Sequence, residues 1–189
     1  MRLYIGLVHY PVYNKNHQRI AAAITTFDLH DLARVARTYD VRKFFVITPL
    51  DDQRTLAEQV RSHWTEGYGA GYNRDRKEAI ELISVVPSLE RAVEVITEKE
   101  GETPLLIATD ASEQKNRPLS FKKARSILED EKAVIVIFGT AWGLDAAILR
   151  RADYILEPVL GRTGYNHLSV RAAAAIILDR LAGIGPTQS

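Results

Sequence analysis

Short apolar runs alternate with longer amphipathic stretches along almost the whole chain, and that alternation leaves few folds open to it. It is the mark of βα units wound around a mostly parallel sheet. Strands are expected at 3–8, 43–48, 82–86, 105–109, 133–138 and 154–156. The central ones are near-continuous Val, Ile, Leu and Phe, as strands covered on both faces should be. Between them lie helices. Thr26-Phe27-Asp28 opens one with Leu29, Leu32, Ala33 and Ala36 on a single face, and Asp51 and Asp52 place acids at the positive end of the next. Ser88 begins a third, with Leu89, Ala92, Val93 and Ile96 at helical spacing, and Ser120 caps a fourth running to about residue 131. A length of 189 residues suits one domain with a sizeable core.

The last helix, 168–181, differs from the others. Its run from Ala172 to Leu178 is small and apolar nearly all round, which calls for burial on most faces, against the sheet and against either a second subunit or the rest of a monomer's core. Residues 64–76 break the alternation. Gly67, Gly69 and Gly71 beside Tyr68, Tyr72, Arg74 and Arg76 read as a loop or helix end, either a solvated connection or a flap that meets nucleic acid. The tail from Gly183 to Ser189 is expected to fray.

Composition narrows the chemistry. Zero cysteines remove disulfides, thiolate zinc sites and cysteine nucleophiles. His9, His17 and His30 lack metal-ligand spacing, so no metal is expected; His17, with Asn16 and Arg19, reads as a polar loop near a substrate entrance. No apolar run approaches the roughly 20 residues of a membrane span, and the amino-terminal stretch reads as a buried strand rather than a signal peptide. A cytoplasmic protein without membrane attachment is the expectation. A formal net charge of +1 neither demands nor forbids a polyanion.

Three strand-end loops stand out: 107–112, 137–144 and 157–169. In open α/β sheets ligands bind at the carboxyl ends of strands, so the three are expected to share a site. Gly139 and Gly143 around Thr140 allow close backbone approach, yet neither a phosphate loop nor a dinucleotide fingerprint is present. In the third loop Gly161 and Gly164 precede Asn166, His167 and Ser169, which either cap the final helix or point at a ligand.

The sequence Phe138-Gly139-Thr140-Ala141-Trp142-Gly143-Leu144, followed by Leu156-Glu157-Pro158 and by Gly164-Tyr165-Asn166-His167-Leu168-Ser169-Val170-Arg171-Ala172-Ala173, resembles the carboxy-terminal motifs of the SPOUT methyltransferases. It is most similar to a small branch regarded as RNA methyltransferases, over nearly the full length. The resemblance implies an α/β domain with a carboxy-terminal trefoil knot at about 105–181, a homodimer, and S-adenosyl-L-methionine as methyl donor to tRNA or rRNA. It places Thr109 by the ribose and Phe138, Gly139, Thr140 and Gly143 along one wall. Leu156, Pro158 and Val159 would meet the adenine, and Gly161, Asn166, His167, Leu168 and Ser169 would close the site.

Residues 28–38 resemble the first motif of the ribose-methylating branch, with Arg37 at its catalytic arginine and Asp28 and Asp31 in place of two asparagines. In this the chain departs from the branch: a carboxylate can act as general base where an amide cannot, so Asp28 is expected to take the proton from a nucleobase nitrogen or a ribose hydroxyl, with Arg37 holding phosphate. Asp28 as a helix cap and Arg34 and Arg37 as a solvated face stay open beside that reading. So does a protein that binds cofactor and RNA without catalysis.

Overall fold

The computed structural model describes residues 1–114 and 116–184, so the tail expected to fray lies, beyond Ile184, outside the described residues. Among the described residues nine strands and eight helices follow in the order β1 (Arg2–Val8), β2 (Val12–Tyr13), β3 (Arg19–Ile20), α1 (Thr26–Thr38), β4 (Lys43–Ile47), α2 (Asp51–Thr65), α3 (Tyr68–Tyr72), α4 (Arg74–Ile80), β5 (Ile83–Val86), α5 (Leu89–Glu100), β6 (Leu105–Thr109), β7 (Pro118–Leu119), α6 (Phe121–Glu129), β8 (Ala133–Gly139), α7 (Ala146–Arg151), β9 (Tyr154–Leu156) and α8 (Val170–Ala182). Seven strands form one sheet in the order β5-β4-β1-β8-β6-β9-β7, every pairing parallel. β2 and β3 form a separate antiparallel hairpin.

Both faces of the sheet are covered, which explains the unbroken apolar strands. Leu3, Ile5, Leu7, Phe44, Val46, Val134, Val136 and Phe138 pack on one side with Leu29 and Leu32 of α1, Leu128 of α6, and Ile177 and Leu178 of α8. Their neighbours Tyr4, Val8, Phe45, Ile47, Ile135 and Ile137 point the other way, against Ala92 and Ile96 of α5 and Ile148 of α7. Ser88 and Ser120 cap their helices as expected. α1 is capped by Thr25, not Asp28: the Thr25 hydroxyl accepts from the Asp28 amide at 3.1 Å and donates to the Asp28 carboxylate at 2.7 Å.

For residues 64–76 the helix end holds and the loop is corrected. They finish α2 and form α3 and the start of α4 rather than a loop. Gly69 explains it: a Cβ there would stand 2.6 Å from the Trp64 ring, so only glycine lets the indole lie on α3. Asn73 then caps α4, accepting from the Arg76 amide at 2.9 Å, and Arg76 stacks 4.6 Å above the Trp64 ring. Tyr68 and Tyr72 remain exposed, their rings stacked at 6.1 Å.

Under the sheet's amino-terminal edge, the nearly buried Glu100 carboxylate accepts from the Tyr4 hydroxyl and from Arg42 at 2.6 Å. Burial first, and then this carboxylate, push the Tyr4 phenol up to about 12. A group raised in the folded state stabilises fully below its unfolded value of ~10, and that stability is lost as pH rises through the folded value. The unfolding free energy in urea should therefore fall between about pH 10 and 12, and Tyr4→Phe should flatten that part of the profile.

Candidate functional site

The order in which strands are added reverses at the centre of the sheet. From β1 the chain builds outward through β4 and β5 on one side, while β8, β6, β9 and β7 lie on the other. Register Val8↔Gly139 brings the ends of β1 and β8 level, and the crevice beyond such a reversal is where open sheets bind ligands. A cavity of about 890 Å³ lies near it, bounded by the ends of β6 and β8 and the loops after them, the loop from β9 into α8, the first two turns of α8, and the segment leading into α1 with its amino-terminal turn.

Small polar side chains hold the strand ends. The Thr140 hydroxyl donates to the Val8 carbonyl at 3.0 Å, and that of Thr109 to the Ile137 carbonyl at 3.0 Å. The β2–β3 hairpin clamps the loop after β8: Trp142 N–H donates to the Tyr13 carbonyl at 2.9 Å, Tyr13 N–H to the Gly143 carbonyl at 3.1 Å, and Val12 bridges Leu144. Asp145 fixes the far end, capping α7 through the Ala147 amide at 2.7 Å and holding Arg19 at 2.9 Å. Burial opposes its ionisation, but Arg19, the Ala147 amide and Tyr13 outweigh burial and hold the carboxyl below its ordinary range. Arg19 is thus a strut of the loop, whereas sequence had placed it at a polar entrance.

Of the residues that sequence selected, Asp28, Thr109, Phe138, Gly139, Thr140, Gly143, Val159, Asn166, His167, Leu168 and Ser169 line the cavity together. Leu156 is buried in the core below it, and neither Pro158 nor Gly161 is among the lining residues. Arg37 is also not among them; it sits in the last turn of α1, 3.4 Å from Glu78. The guanidinium beside Asp28 is that of Arg171, at 3.3 Å, which also reaches Asp31 at 2.9 Å. Ser169 does both things proposed for it, capping α8 through the Ala172 amide at 3.3 Å and lining the cavity. Asn166 donates to the Ala111 carbonyl, tying the third loop to the first.

Ala22, Ala23 and Trp142 line the cavity without having been selected. Trp142 was legible as part of a strand-end loop; the two alanines carried no signal. Beneath them His9 is fully buried and neither ring nitrogen has a hydrogen bond. Burial pushes its pKa down against the opposing pull of Asp28.

The residues fit a ligand of cofactor size. The volume falls in the range of small-molecule sites, about 300–1,000 Å³. Gly143 (φ 100°) and Gly164 both border it, and a Cβ at either would meet nothing within 4 Å, so the backbone is open to a bound group. Among the described residues no cluster of three potential metal ligands occurs, and no helix is long and apolar enough to cross a membrane.

A model of the family described as SAM-dependent RNA methyltransferase matches residues 2–183. The chain is 42% identical over 181 residues to a protein of Oleidesulfovibrio alaskensis named tRNA (guanine-N(1)-)-methyltransferase; the match covers 96% of this chain and 42% of that protein's length. It is 37% identical over 179 residues to an uncharacterized protein of Aquifex aeolicus, covering 95% of this chain and 87% of the other. Its fold is similar to that of the SpoU methyltransferase AviRb from Streptomyces viridochromogenes, with a TM-score of 0.59 at 16% identity, covering 95% of this chain and 58% of that one.

Gly139 is the tightest point of the site, because a Cβ there would stand 2.7 Å from the Leu144 amide nitrogen and 3.0 Å from the Gly143 carbonyl carbon. Gly139→Ala should force the clamped loop outward and cost on the order of 1–3 kcal/mol, the usual range for overpacking, read by chemical denaturation.

Proposed function

This chain belongs to the S-adenosylmethionine-dependent RNA methyltransferase family, and we propose that the cavity at the carboxyl ends of β6, β8 and β9 is where it binds that cofactor and methylates a nucleotide of RNA. The observation that carries this reading is the convergence of three separate strand-end loops on one cavity that also admits the carboxylate of Asp28. Thr109 would stand by the ribose, Gly139, Thr140 and Gly143 along one wall, and Val159 against the adenine, with Leu156 as support from the core. Asn166, His167, Leu168 and Ser169 would close the site. When bound, the cofactor supplies a methyl group already activated by its sulfonium, so the protein needs only to orient the acceptor and take up one proton.

Asp28 is the proposed proton acceptor. Thr25 donates to one of its oxygens and Arg171 pairs with the other, which fixes the carboxylate while leaving lone pairs for an incoming proton. Arg37 lies about 13 Å along α1 from Asp28, at 1.5 Å rise per residue, too far to share the reacting atoms and suited to a phosphate of the same RNA.

Further proposals complete the reading. Residues 1–189 act as one domain of SPOUT type, in the cytoplasm, with the stretch 105–181 forming the trefoil knot. β9 enters the sheet between the earlier strands β6 and β7, and Asn166 is tied back to the first loop, as a threaded chain requires. The protein works as a homodimer through α8, where Ala172, Ala175 and Ile176 are only half-buried in one chain and do not line the cavity. The longer Oleidesulfovibrio relative makes tRNA the first RNA to test, although this chain spans only 42% of its length.

Calorimetry should find one cofactor site per chain. Asp28→Asn should keep cofactor affinity and lower methyl transfer by roughly 10²–10⁴-fold, the usual contribution of a general base. Mass spectrometry of nucleosides from a deletion strain should show one methyl mark missing; an unchanged profile together with no cofactor heat would refute the reading. Light scattering should give twice the mass of one chain, and a stable monomer at micromolar concentration would remove the homodimer.

A further inference from the structure

Trp142 lines the cavity with 64% of its surface exposed. An indole seldom stands so open, because its area is worth a large burial energy. No mobile loop presents it. Ala141 is held at φ 51° and Gly143 at φ 100°, and hydrogen bonds with Tyr13 grip the backbone on both sides of the ring. The ordering that a stacking surface requires is therefore already present before anything binds. Asp28 lines the same cavity, next to Phe27, whose ring lies 5.7 Å from the Arg171 guanidinium.

We propose that Trp142 is the stacking platform for the base of the nucleotide that receives the methyl group, in the cavity that Asp28 also lines. This rests on the reading that RNA is methylated in this cavity. Every base has a π face, so a rigid exposed indole holds the base plane while polar groups of the same cavity choose the atom presented. Trp142 thereby sets the position of the acceptor rather than the affinity for cofactor.

The chain has two tryptophans. The other, Trp64, is enclosed by His30, His63 and Arg76 and does not line the cavity. In a Trp64→Phe protein, Trp142 is the sole indole. Its emission should be quenched by total RNA from a deletion strain in the presence of S-adenosylhomocysteine, and should change little with S-adenosylhomocysteine alone. Trp142→Ala should raise the KM for that RNA roughly 5- to 150-fold, equivalent to the ~1–3 kcal/mol of one base–aromatic stack, while Trp142→Phe retains most of the wild-type value. Two results overturn the proposal: no quenching by RNA, or quenching by S-adenosylhomocysteine alone with its affinity lost in Trp142→Ala, which would put the indole in the cofactor wall. Should the wild-type protein transfer no methyl group to any RNA, the reading of the site falls on that result. The titration still decides the platform, for which quenching by RNA counts in favour and its absence against.

Discussion

The parallel pairing of β1 with β8 is the constraint on which the rest depends. It runs from Arg2↔Ala133 to Val8↔Gly139 through the middle of the sheet, with both strands buried on both faces. No residue along it can slip without moving a side chain from one core into the other. Because the two strands end level at Val8↔Gly139, the backbone groups beyond them cannot continue their shared ladder. They must find other partners or face a ligand. Thr140 reaches back to Val8, the Ala22 amide donates to the His9 carbonyl, and the hairpin Val12–Tyr13 takes up the loop after β8. The cavity is what these substitutions leave open.

Rigidity at the site comes from short polar contacts rather than from bulk packing. Asp145 is nearly fully buried, yet it bonds to Arg19 and to the Ala147 amide, so one carboxylate joins the hairpin, the loop and α7. A buried charge of this kind is tolerable only when its partners are complete, and removing one exposes the full desolvation cost. His9 is the contrasting case. Its unpaired nitrogens sit beneath Ala22 and Ala23 at the end of the central strand, and burial favours the neutral ring. Structure around a ligand pocket often tolerates one such unsatisfied group where the core proper does not.

The parts legible in the sequence are those that repeat a local period. Six strands could be read because burial on both faces writes them as unbroken apolar runs, and α1, α5 and α6 because a cap precedes a 3.6-residue stripe. β2, β3 and β7 are two residues each and have no period to read. The glycines of 67–71 misled, since Gly69 serves a tertiary contact with Trp64 and not a turn. At the site, loops could be located from where strands stop, but not which way each side chain points. Leu156 ends β9 facing the α8 core, which only the twist and register of the sheet decide. Arg37 came from motif position alone, and a rigid helix carries it away from Asp28.

The arginine that does stand by Asp28 belongs to the other end of the chain, and this pairing is where fold and chemistry meet. α1 and α8 both lie on the same face of the sheet and pack against each other, so Arg171 can bridge Asp28 and Asp31 across their interface. The guanidinium is only partly exposed, and the Asp28 side chain is 14% exposed, so solvent screens the pair less than it would a surface bridge. Arg171 on one oxygen and the Thr25 hydroxyl on the other orient the carboxylate before anything binds. The position of Asp28, the proposed base, therefore depends on the helix that follows the third loop, so that the two ends of the chain meet at the cavity.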